Sequence, residues 1–144
     1  MSLRVHRAAP PGSHGYGAGV RRAWLAFVLD AALIVLFAAL GRRTHDEGSV
    51  VGGTLHVAAP FLLGWAVGAA VARLDHDPLS ARRAVLAWAI GLPLGFALRA
   101  VDGRGLAFGF VVVALVFTAA TLIGWRALVA LVVTRRARRA RSAP

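Results

Sequence analysis

The chain has no cysteine, no lysine and only six carboxylate side chains in 144 residues. Without cysteine there are no disulfides, no thiolate nucleophile and no thiolate metal site. Without lysine every basic side chain is an arginine. A coding bias toward G and C, which the many alanines and glycines also suggest, accounts for that as well as any chemistry does. GxSxG, Walker-type and HExxH patterns are missing, and the few Ser and Thr have no evident base beside them. The expectation is a protein that is not an enzyme and carries no cofactor.

What the sequence does have is grease. Hydrophobic residues make up 58% of the chain, above the roughly 45–50% usual in soluble domains. They are gathered in four runs, Ala23–Leu40, Leu55–Val71, Ala84–Leu98 and Leu106–Val133, each fenced by arginines. Crossing bilayer hydrocarbon takes about 20 apolar residues, with a range of roughly 17–25. Two runs fit or sit at the edge of that window, the third is short and the fourth is long. A soluble protein this small has too little interior to hide four such helices. The fold class expected is therefore all-α: a polytopic membrane four-helix bundle.

Its organisation follows from the same runs. Residues 1–20 read as a flexible tail, since Pro10, Pro11, Gly12, Gly15, Gly17 and Gly19 break helices. Residues 21–134 hold the four spans and 135–144 form a basic tail. The first run is too long for the apolar core of a secretory signal peptide and runs straight into Gly41-Arg42-Arg43, so an uncleaved span is expected. Pro60 lies within the second run and Pro93 within the third, where a proline removes a helix hydrogen bond.

A net charge of +11 raises nucleic acid as a partner, but the arginines stand at the ends of apolar runs rather than along one polar face with interleaved aromatics. No nucleic-acid partner is expected. Twelve arginines fall on one side of the alternating topology and four, Arg42, Arg43, Arg99 and Arg104, on the other. Because arginine excess marks the cytoplasmic face, both termini are expected inside (N-in/C-in), in the plasma membrane. Arg135, Arg136, Arg138, Arg139 and Arg141 serve as a topology signal and are also a candidate surface for anionic lipid.

Two charges interrupt the grease. Asp30 lies about 10 Å inward from the boundary near Ala23, and Arg126 about 12 Å inward from that near Thr134, at 1.5 Å per residue. Matched depths make them a candidate intramembrane ion pair. The plain reading is a pair that fixes helix register; the functional one is a proton or ion site with Arg126 as counter-ion. A further alternative has Arg126 reaching toward the interface beside Trp125. On the opposite face Arg42, Arg43, His45, Asp46, Glu47, Arg99 and Asp102 form a candidate polar cluster, suited to an anion through its arginines or simply solvated. No metal-ligand spacing supports a metal site there. Gly64, Gly68, Gly91 and Gly95 are two GxxxG spacings, expected at close helix–helix contacts.

Several short stretches, taken in order, carry a resemblance: Asp30 in the first span, Gly41-Arg42-Arg43-Thr44-His45, Pro60-Phe61-Leu62-Leu63-Gly64, Trp88 with Gly95 and Arg99, and Gly124-Trp125-Arg126. With these the chain, from about Arg21 to Val133, resembles the small bacterial and archaeal membrane family called Domain of Unknown Function 3054. The resemblance implies a compact protein with four membrane helices in the plasma membrane. It implies no activity and carries over no functional residue. The expectation is a structural or regulatory membrane subunit working through helix packing, a homo-oligomer or a membrane partner, with the lipid bilayer as its surroundings. The alternative is a small transporter or channel-like protein with a polar path along Asp30, Arg126 and Arg99.

Overall fold

The computed structural model describes residues 14–42, 50–103 and 105–141. They form α1 (His14–Arg42), α2 (Val50–Val71), α3 (Ala81–Val101), α4 (Phe108–Thr118), a π turn (Ala119–Ile123) and α5 (Gly124–Arg141). Among the described residues there is no strand. α4, the π turn and α5 run on as one helix, so four helices are long and apolar enough to cross a membrane. Their outward faces are apolar too: Leu25, Leu63, Val85, Val113 and Leu128 are all exposed. Helices that are hydrophobic all round need lipid, not water, around them.

Adjacent helices are antiparallel. Gly64 of α2 packs on Gly91 and Gly95 of α3 while Gly68, one turn later, packs on Ala87 and Gly91. Phe37 and Phe117 meet across α1 and α4, and Asp30 and Arg126 meet one end further along. With α3 also against the π turn, the four spans close into an up–down ring.

The α2–α3 contact is backbone on backbone. A Cβ added at Gly64 would stand 2.2 Å from the carbonyl oxygen of Gly91, and one at Gly68 2.2 Å from that of Ala87. Lipid tails are as apolar as leucine, so association here rests on such close van der Waals approach. Beside it lies an aromatic layer. The Phe61 ring meets Phe37 and Phe96 edge-on at 5.8 and 5.6 Å, and Phe110 and Phe117 complete the layer.

Helix ends differ from the runs read in the sequence. α1 begins at His14, so residues 14–20 of the expected irregular tail are helical, with Gly15, Gly17 and Gly19 inside. Each glycine costs about 1 kcal/mol in a helix, but extending a helix already nucleated by an apolar span avoids the cost of a new nucleus. α3 starts at Ala81, ahead of the apolar run, because Ser80 caps it: its hydroxyl accepts from the Arg83 N–H. At the other end, Arg135 to Arg141 of the basic tail continue α5. The last helix, at 34 residues, is roughly 51 Å long against a hydrocarbon core of about 30 Å, so its basic end projects well beyond.

The α2–α3 turn is tightly built. The Leu74 N–H bonds to Ala69 O and the Arg73 N–H to Ala70 O, the paired closure of a Schellman motif. Arg73 takes the left-handed position that glycine usually fills, at φ 50°, and its carbonyl accepts from the Arg83 guanidinium. Leu74 drops back into the core with no exposed surface. The turn thus folds inward rather than out into water.

Candidate functional site

Asp30 sits in the middle of α1 and Arg126 at the start of α5, and both are 0% exposed. The two form a bidentate pair: Arg126 Nη1 donates to Asp30 Oδ1 at 2.9 Å and Nη2 to Oδ2 at 2.7 Å. Such fork-to-fork pairing is the strongest geometry open to two charged side chains. The neighbouring Trp125 donates its indole N–H to Asp30 Oδ1 at 3.1 Å. Arg126 Nε donates to the carbonyl of Pro78 at 2.9 Å, and Nη1 also to Leu122 O at 2.7 Å. The guanidinium lies 4.4 Å from the Trp125 ring centroid and 5.9 Å from that of Trp65.

This arrangement accounts for nearly all the polar valence of the pair. A guanidinium has five N–H groups, and the bonds above occupy four of them, counting Nε once, Nη1 twice and Nη2 once. The alternative in which Arg126 reaches to the interface is therefore overturned: its head turns into the bundle. Three chain segments distant in sequence are joined at one point: the first span, the last span and the α2–α3 turn. The π turn ends one residue before Gly124-Trp125-Arg126. A π turn amounts to one extra residue in an α-helix, often at functional positions.

Thr118 and Thr121 close bonds back onto the carbonyls of Ala114 and Phe117 beside this turn. The Trp88 indole donates to the Thr118 hydroxyl at 2.9 Å, tying α3 to the last span.

At the other end of the bundle Arg99 lies 4.4 Å above the Phe110 ring. Its Nε and Nη1 are buried without a hydrogen-bond partner. Asp102 stands 3.6 Å from His56, a residue that sequence reasoning missed because a lone histidine near a helix start carries no motif. Of the cluster read on this face, Arg43, His45, Asp46 and Glu47 lie outside the described residues, as does the side chain of Arg42. Among the described residues no three His, Asp or Glu side chains gather as a metal site would require. Between Arg99 and the Asp30–Arg126 pair stands the phenylalanine layer of Phe37, Phe61, Phe110 and Phe117.

A family described as "Protein of unknown function (DUF3054)" matches residues 27–129, from just before Asp30 to just after Arg126. The chain belongs to DUF3054. The matched span takes in every residue of the buried pair and its hydrogen-bond partners, together with the four α2–α3 glycines. No curated protein and no solved structure matches the chain.

Proposed function

We propose that this DUF3054 protein is a structural or regulatory subunit of the plasma membrane, without catalytic activity, that works through a membrane partner or a second copy of itself. Its termini lie in the cytoplasm, with the basic end of α5 presented to anionic headgroups. In this reading the Asp30–Arg126 pair is a fixed clasp that sets the register of the first span against the last.

One observation carries the reading: the Asp30 carboxylate is enclosed, with two guanidinium N–H groups and one indole N–H on its oxygens. A carrier of protons or ions needs access and a site that exchanges its partner. The phenylalanine layer between the pair and Arg99 also argues against a continuous polar path. The rival reading, a small transporter using Asp30, Arg126 and Arg99, draws its support from the two unpartnered nitrogens of Arg99.

Asp30→Asn separates the two. A clasp loses stability, and adding Arg126→Gln restores part of it; a transporter keeps its fold and loses flux in proteoliposomes. Orientation is read by attaching a maleimide to single cysteines, which the cysteine-free chain permits without background. A cysteine at His76 should be shielded in intact cells, and one at Gly103 labelled by an impermeant reagent.

A further inference from the structure

The α1–α2 face holds two adjoining hollows of about 610 and 660 Å³ that share Trp24, Phe27, Asp75 and His76. Small side chains make the room: Ala31 on α1 faces Ala66, Ala69 and Ala70 on α2. From Leu62 to Ala70 the furrow follows α2 for about 12 Å at 1.5 Å per residue, which keeps it within one leaflet of a hydrocarbon core of about 30 Å. The walls are apolar along this length, and the polar groups are confined to one end.

That end carries one positive and one negative side chain. Arg73 and Asp75 both line the furrow, two residues apart on the turn that closes α2. The turn is held rigid by its Schellman bonds and by Arg83 on the Arg73 carbonyl. His76 lies 3.6 Å from Asp75 beside the same opening. Trp24, 67% exposed at the mouth, has the amphipathic ring that favours the headgroup level.

We propose that this furrow is a binding site for a phospholipid whose headgroup ends in a primary amine. The acyl chain lies along the alanine floor, the phosphate meets Arg73, and the ammonium donates to Asp75. Charge complementarity selects this occupant. A phosphoglycerol headgroup offers no cation to Asp75, and a trimethylammonium headgroup has no N–H to donate.

The test uses the full chain in nanodiscs of mixed phosphatidylethanolamine, phosphatidylcholine and phosphatidylglycerol, with lipids retained on the released protein counted by native mass spectrometry. Retained phosphatidylethanolamine should exceed phosphatidylcholine by about tenfold, the worth of one charge-assisted hydrogen bond. Asp75→Asn should bring the two within about twofold of each other, for the same reason. Ala70→Leu, which fills the floor with another apolar group, should lower retention of every lipid while the melting temperature stays put. Equal retention of all three lipids by the native chain, a preference for phosphatidylglycerol, or an amine preference that survives Asp75→Asn would each overturn the proposal. The clasp is unaffected by any of these outcomes, because none of these variants touches Asp30 or Arg126.

Discussion

Removing the carboxylate at Asp30 is the sharpest perturbation this structure offers. Asp30→Asn keeps the shape but leaves the Arg126 guanidinium at zero exposure with a full charge and only carbonyl-type acceptors around it. Arginine cannot shed that charge by losing a proton. Breaking one side of a buried pair costs about 3–5 kcal/mol. For a chain near this size each kcal/mol moves the melting temperature by roughly 2–4 °C, so the loss is about 6–20 °C. Arg126→Gln takes both guanidinium bonds from the Asp30 carboxylate and abandons the Pro78 and Leu122 carbonyls, so it is clearly destabilising. The double variant Asp30→Asn with Arg126→Gln removes both charges, and the coupling recovered should be about 1–3 kcal/mol. Reversible unfolding of all four proteins in mixed micelles, followed by tryptophan fluorescence, measures it. Single losses that add to within about 0.5 kcal/mol would refute the reasoning, because residues that never meet behave that way.

Gly64→Ala and Gly68→Ala place a methyl group 2.2 Å from backbone oxygens that cannot swing aside, so each should cost more than about 2 kcal/mol or part α2 from α3. Gly124→Ala is the matched control: nothing stands within 4 Å of its new Cβ, and removing a helical glycine should add up to about 1 kcal/mol in the same unfolding assay. Deleting Ala120 should convert the π turn to α-helix while Phe110 and Arg126 keep their faces, so the protein remains folded by circular dichroism and gel filtration. Deleting Val113 instead turns the start of α4 by about 100° and should abolish folding. Thr118→Val strands the Trp88 indole N–H and should lower stability by about 1–3 kcal/mol, with a shift in tryptophan emission.

The spans could be read from the sequence because lipid imposes a length and an apolar composition that water does not. Their ends could not. Whether Gly15 and Gly17 break a helix or ride on one depends on the nucleus downstream, and the start of α3 depends on one hydroxyl at Ser80. At the site, Asp30 and Arg126 announce themselves by interrupting apolar runs. The groups that complete the pair carry no such mark. Pro78 contributes a backbone carbonyl, which every residue has, and it arrives only because the turn after α2 folds inward. Trp125 reaches Asp30 from the position next to Arg126, where plain helical periodicity would put the two on different faces. The π turn has no compositional signature in Ala119-Ala120-Thr121-Leu122-Ile123 and shows only in three dimensions.

The contact between guanidinium and carboxylate inside a bilayer can be observed directly. Magic-angle-spinning NMR of the protein in lipid, with ¹⁵N-arginine and ¹³C-aspartate, reports dipolar transfer from a guanidinium nitrogen to a carboxylate carbon. The account predicts strong short-range transfer from both Nη nitrogens of Arg126, fitting their 2.9 and 2.7 Å contacts with Asp30 Oδ1 and Oδ2, that disappears in Asp30→Asn and resists exchange with water. A spectrum lacking that transfer in lipid, or an Asp30 carboxyl in rapid contact with water, would contradict it.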